Sequence, residues 1–256
     1  MQSLYLSLRS EFYKSRKTLA FWASILLPVI ICGLISFGYL ATTRGLTEMS
    51  PNILWFNYTG QIVSPMGYLI LPFYVIFMAF SVHNIEHKND TWKSLFSLPL
   101  NRLSIYSAKY LYAVILTFIC LSLFCLLTYL FGNAAHLLKP ALRFNEFNPI
   151  ELLSRIYLKL FLAALGILSL QFIISLIWSD FLKPMGLGFV GIIIGIMIAS
   201  AKWKFAYLFP YSHPVITLSM AKDSTQFFTR ELWASLTYAI LFFTSGYLIV
   251  SRRSIK

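Results

Sequence analysis

"LAFWASILLPVIICGLISFGYL", Leu19 to Leu40, decides the fold: it is 22 residues long and carries no charge. A helix needs about 20 mostly apolar residues to cross about 30 Å of hydrocarbon, and this run meets that length without a break. The whole chain has the matching composition. Apolar residues make up 58% of it and charged residues only 12%, about half the charged share of an ordinary soluble domain. Five more runs predict spans, roughly Val63 to Val82, Leu111 to Phe131, Leu160 to Trp178, Met185 to Ala201 and Leu232 to Val250. The expected fold class is therefore an all-α polytopic membrane protein with six transmembrane helices. The first run is too long for a signal-peptide core and lacks a small-residue cleavage site, so it is expected to stay as a span. Cys32, Cys120 and Cys125 fall inside spans and read as small buried hydrophobes, with no paired spacing for a disulfide or zinc.

The formal net charge of +12 would point to nucleic acid in a soluble chain. Here the basic residues cluster beside spans, so membrane lipids are the expected partner and nucleic acid is not. Arg9, Lys14, Arg16 and Lys17 precede span one, Lys88, Lys93, Arg102 and Lys109 lie between spans two and three, and Arg252, Arg253 and Lys256 close the chain. The first span usually dominates topology, which predicts both termini in the cytoplasm. Lys139, Arg143, Arg155 and Lys159, and then Lys202, Lys204, Lys222 and Arg230, fall on the opposite side in that arrangement.

Before span one, Leu4, Leu8 and Phe12 recur four apart among Arg9, Glu11, Lys14 and Arg16, the pattern of a helix lying in the interface plane. Before span six, "AKWKFAYLFPYSHPVITLSM" is aromatic and interrupted by Pro210 and Pro214. It predicts interfacial or re-entrant helices rather than a span. There is no internal repeat and no low-complexity linker, so residues 1–256 are expected to form a single transmembrane domain.

Several strings suggest chemistry. "HNIEH", His83 to His87, has the H-x-x-E-H order of one class of zinc peptidases, and an intramembrane zinc-dependent hydrolase is the competing reading. The other histidines, His136 and His213, are expected on the opposite side of the membrane. "GLGFVG", Gly186 to Gly191, opens a span instead of following a strand, so Gly188, Gly191 and Gly195 predict close helix packing, not dinucleotide binding. "NYT" at Asn57 formally accepts a glycan. The string G-x-x-x-x-G-K-[ST] does not occur, so the chain is not expected to cradle nucleotide phosphates by that route, and outside the hydrolase reading no catalytic, cofactor or metal site is expected in it. Gln171 is the most polar mid-span side chain, and either a place on a substrate path or a bond to a neighbouring helix fits it. Uncharged spans and the lack of a repeat count against a secondary transporter.

Between spans two and three lies "NDTWKSLFSLPLNRLSIYSAKYL", Asn89 to Leu111. Trp92, Leu95 and Phe96 share one helical face and Lys93 and Ser94 another, while Pro99 stops the helix where Asn101 can cap the next. A short amphipathic helix fixed to two spans suits a partner's groove; the alternative is a helix resting on lipid.

From Glu86, the segment "EHKNDTWKSLFSLPLNRLSIYSAKYL" resembles the signature of the type 2 ABC transporter permeases, with Glu86, Thr91, Leu98, Pro99, Arg102, Ile105, Tyr106 and Lys109 at the matching positions. "TWK" resembles the lantibiotic-immunity branch, as does "SEFYKSRKTLAFWASILLP" with Glu11, Lys14, Arg16, Lys17 and Pro28. Asp90 departs from the glycine many relatives carry. The resemblance implies two permease subunits, the same or related, paired with two separate ATP-binding subunits. It implies a coupling helix involving Glu86, Thr91, Trp92, Lys93, Leu95, Phe96, Leu98, Pro99 and Arg102. It further implies an elbow helix at Leu4, Leu8, Phe12 and Arg16, and broken outer-face helices before span six. The implied function is export of an amphipathic peptide or lipid-like molecule across a bacterial plasma membrane, with ATP hydrolysed in the partner.

Overall fold

The computed structural model describes residues 2–41, 46, 48–89, 91, 101–220 and 226–252, and among these there are helices and no strand. The α-helices are α1 (Gln2–Ser15), α2 (Leu19–Ala41), α3 (Pro51–Pro65), α4 (Leu71–Asn89), α5 (Arg102–Leu138), α6 (Ile150–Ile177), α7 (Leu182–Ser200), α8 (His213–Met220) and α9 (Arg230–Arg252). A π turn, Met66–Ile70, joins α3 to α4, and 3-10 turns occur at Phe144–Glu146, Ala206–Leu208 and Pro210–Ser212. Among the described residues, six segments are long and apolar enough to cross a membrane: α2, α3 with α4, α5, α6, α7 and α9. The broken helices before the last span are the two 3-10 turns and α8.

The second of these segments starts at Pro51, well before the expected Val63. Asn57, Thr59 and Gln61 dilute its hydropathy, yet several polar groups of this stretch are paired within the fold. Tyr58 Oη lies 2.6 Å from Ser36 Oγ, Gln61 donates to Asn57 at 3.3 Å, and Trp55 Nε1 donates to the Phe144 carbonyl at 2.8 Å. Likewise α5 begins at Arg102 and α6 at Ile150, each earlier than hydropathy alone predicts. A 37-residue helix such as α5 is about 55 Å long at 1.5 Å per residue, so it extends beyond about 30 Å of hydrocarbon.

The α3–α4 rod and α6 are the best-buried spans, and α2, α7 and α9 flank them. α9 packs along α6, and both α1 and α2 pack against α5. The α2 contact follows from its sequence. Ala20, Ser24, Pro28, Cys32 and Ser36 recur every four residues and are all buried, a seam of small side chains that lets two backbones approach closely. Cys32 Sγ reaches Thr128 Oγ1 of α5 at 3.9 Å on this seam.

The two ends of the bundle are distinct. At one, here the terminal end, Ser3 Oγ of α1 meets Ser104 Oγ of α5 at 2.9 Å and Arg102 Nη1 donates to the Ser251 carbonyl of α9 at 2.9 Å. At the far end, α7 stops in a Schellman motif: Trp203 N–H donates to the Ile198 carbonyl and Lys202 N–H to the Ala199 carbonyl. Lys202 adopts the left-handed conformation there, with φ of 52°.

Candidate functional site

The terminal end holds a ring of four charges drawn from three helices. Lys109 Nζ of α5 lies 2.7 Å from Glu86 Oε2 of α4 and 3.0 Å from Glu11 Oε2 of α1. Lys14 Nζ of α1 lies 3.2 Å from Glu11 Oε1 and 3.2 Å from Glu86 Oε1. Each carboxylate thus gives one oxygen to each lysine, and the formal charges cancel. Besides its ion pair with Glu86, the Lys109 ammonium donates to Glu11 and to the Val82 carbonyl, 3.2 Å away. Glu11, Glu86 and Lys109 are buried, whereas the Lys14 side chain keeps 31% of its surface. Burial alone would lower the Lys14 pKa; the Glu11 and Glu86 carboxylates outweigh it, and the pKa is raised. Charges this deep are costly unless fully paired. Pairing all four fixes α1, α4 and α5 in one register.

The ring stands beside the start of the Asn89–Leu111 stretch. α4 ends at Asn89, whose side chain donates to the Ile85 carbonyl at 2.9 Å, and Thr91 N–H folds back onto the Glu86 carbonyl at 3.1 Å. On the other side, Asn101 caps α5 by accepting from Leu103 N–H at 2.9 Å, and Arg102 holds Ser251. Both feet of the connection are therefore tied to the bundle. Trp92, Lys93, Leu95, Phe96, Leu98 and Pro99, on which the expected coupling helix depends, lie outside the described residues.

At the far end the 3-10 turn Pro210–Ser212 is pressed against α7. A Cβ at Gly195 would lie 2.7 Å from the Tyr211 backbone carbonyl, and one at Gly191 would lie 2.7 Å from the Tyr211 ring. At Gly188 it would meet Ile76 at 2.5 Å and Gln171 Nε2 at 2.6 Å. Gln171, fully buried in α6, donates to Tyr211 Oη at 2.6 Å. His213 Nε2 donates to the Tyr207 carbonyl at 2.8 Å, and burial pushes its pKa down to about 4.

A family model described as "ABC-2 family transporter protein" matches residues 7–195, from within α1 to within α7, and so takes in the ring, both feet of the connection and the three glycines. The chain belongs to the ABC-2 transporter family. No curated protein matches it.

Within this ABC-2 permease the HNIEH string is committed to structure. His83 Nδ1 donates to the Ala79 carbonyl at 3.0 Å, with its ring edge-on to Phe172, and His87 Nε2 donates to the Ser175 carbonyl at 3.1 Å. Glu86, the residue a peptidase would use to activate water, faces two lysines instead. His136 bonds the Leu142 carbonyl and His213 the Tyr207 carbonyl, both at the far end. Among the described residues no three of His, Cys, Asp and Glu gather into a metal site.

Of the expected elbow residues, Leu8 and Phe12 pack on the core, Phe12 edge-on to Tyr112 at 4.8 Å, and Leu4 is half-buried beside them. Arg16 is exposed, its guanidinium 4.1 Å above the Tyr13 ring. The outward face of α1 carries Tyr5, Leu6 and Tyr13 with Arg9, so the helix has apolar residues on both sides.

Sequence reading treated charged residues as markers of span ends and so missed the burial of Lys109. Lys159 and Glu231 are buried too, with Lys159 Nζ donating to the Gln226 carbonyl at 3.0 Å. The small-residue repeat of α2 was a usable signal that hydropathy hides.

Proposed function

We propose that this ABC-2 permease is the membrane subunit of an exporter, driven by a separate ATPase subunit that docks on the segment from Glu86 to Arg102. Residues 1–256 act as one permease domain, and a second permease subunit, the same or related, completes the pathway. The termini and the docking segment face the cytoplasm, in a bacterial plasma membrane. The cargo is an amphipathic peptide or lipid-like molecule, the class suggested by resemblance to the lantibiotic-immunity branch. Gln171, bound to Tyr211, joins a substrate path only where that contact opens.

The observation that carries this reading is the ring with its two feet. A segment that must pass on motion needs rigid attachment at both ends, and here one foot continues from Glu86 while the other is held by Arg102 on α9 and by Lys109 two turns into α5. Displacing the segment therefore pulls on α1, α4, α5 and α9 together. Trp92 and Phe96 supply the aromatic anchors of the interface, with Lys93 on its rim. Truncating a central anchor commonly costs about 2 kcal/mol or more, roughly thirtyfold in affinity; a rim charge affects encounter more than affinity.

The test is co-purification of the tagged permease with its ATPase, together with ATP hydrolysis by the complex. Trp92→Ala and Phe96→Ala are expected to lose the partner and Lys93→Ala to keep it. Retention of the ATPase at wild-type stoichiometry in both aromatic variants, with normal transport, would overturn the docking assignment.

A further inference from the structure

A groove of about 540 Å³ runs between α5 and α6. Phe118 and Phe161, edge to face with ring centroids 5.2 Å apart, lie deepest along the two helices, and Tyr129 and Ser154 lie toward the far end. Leu126 and Leu158 line it and are themselves exposed, so the groove is open on the flank of the bundle.

We propose that this groove is an acyl-chain site that holds one tail of a bilayer phospholipid. Its size is that of pockets which enclose most of a small ligand. It belongs to two membrane-spanning helices, so the medium beside it is hydrocarbon. Water is a poor occupant, because a buried water needs two to four polar partners. Of the four lining hydroxyls, that of Ser154 already donates to the Glu151 carbonyl and that of Tyr157 is paired with Thr128 Oγ1. Left empty, the lining atoms lose their contact partners altogether; a flexible tail restores them. No charged side chain lines the groove, so nothing in it selects a rare cargo tail over the lipid present in vast excess, and mass action favours the lipid. The site is independent of the proposed ATPase docking.

The full chain, reconstituted in phosphatidylethanolamine and phosphatidylglycerol vesicles containing a phospholipid with a mid-chain diazirine, is irradiated and digested. Adducts on residues 118–129 and 150–161 are expected several-fold above those on the exposed α7 flank at Val190, Ile193 and Met197. Ser122→Phe, which fills the groove, is expected to reduce the groove adducts several-fold and leave the α7 adducts unchanged. An apolar maleimide on Cys125 gives a second way to fill it in the wild-type chain, since Cys32 and Cys120 are buried. Equal adduct yields on the groove and α7, or groove adducts that survive both ways of filling, would overturn the proposal. So would loss of the groove adducts in favour of a Cys125–Cys125 disulfide between two copies, which would show a second copy covering the groove.

Discussion

The two ends of this permease are held together by opposite means. At the terminal end, four full charges from α1, α4 and α5 neutralise one another in a nearly dry site. The broken segment from Trp203 to Met220, which enters at the far end, is held by neutral contacts: glycines that admit a backbone, an amide that meets its tyrosine deeper in the bundle, and a neutral histidine on a carbonyl. Charges in low dielectric interact strongly and specifically, so the terminal end resists small displacements and would move only by exchanging partners as a unit. Close backbone packing has no such alternative pairing.

The largest expected effect is at the ring. Lys109→Met leaves Glu11 and Glu86 buried with only Lys14 between them, and breaking a buried ion pair costs about 3–5 kcal/mol. Lys14→Met should cost less, because Lys14 is partly exposed and Lys109 still bridges both carboxylates. Adding Glu11→Gln to Lys109→Met removes the excess negative charge and should recover part of the loss, a coupling that contacting residues show. Thermal unfolding of the purified permease in detergent measures all three. Negligible losses for both lysines would mean that the ring does not hold this end.

How much of each end could be read from the chain follows from the same contrast. Charge-free runs such as Leu19 to Leu40 announce membrane helices directly, because the bilayer demands length and apolarity from each segment alone. Pro51 to Ile62 escaped that test, since Tyr58 and Trp55 satisfy their polar groups on Ser36 and the Phe144 carbonyl, partners distant in sequence. Glu11, Lys14, Glu86 and Lys109 were all visible as residues of a family-like pattern. Their mutual pairing was not, because Glu11 and Lys109 are 98 residues apart and a lysine near a span reads as its end. At the far end the glycine string is in the sequence; that the approaching element is the Tyr211–Ser212 turn is not, because an aromatic stretch broken by prolines reads as interfacial.

The far end should respond to acid. His213 has a pKa near 4 in the fold against an ordinary 6.5, so the unfolded chain binds the proton first as pH falls. Stability from this residue is fully present above about 6.5 and is lost as pH drops toward 4, by at most about 3 kcal/mol. His213→Gln keeps a side-chain donor and cannot titrate. Its unfolding temperature should therefore fall less steeply between pH 6.5 and 4 than that of the wild type. Parallel pH profiles would remove His213 from the account.

Close packing at the same end predicts an intermediate effect with an internal control. Gly195→Ala must displace the Tyr211–Ser212 backbone, and overpacking of this kind typically costs about 1–3 kcal/mol. Gly186, on the same helix, has nothing within 4 Å of an added Cβ, so Gly186→Ala should be neutral or slightly stabilising. Equal unfolding temperatures for the two variants would show that the turn yields readily.

The smallest effect concerns where α7 ends. Lys202 takes the left-handed conformation that completes the Schellman motif, and a side chain there crowds its own backbone by about 1–2 kcal/mol. Glycine removes that crowding while both capping hydrogen bonds remain, although it also gives the unfolded chain more freedom to lose. The net gain for Lys202→Gly is therefore expected to be about 1 kcal/mol or less, seen as a slightly higher unfolding temperature. Lys202 is exposed and the ring is at the other end, so the gain should add to the Lys109→Met loss without coupling. Non-additivity between these two substitutions would mean that the ends communicate through the bundle, and the contrast between a charged end and an independently packed one would no longer stand.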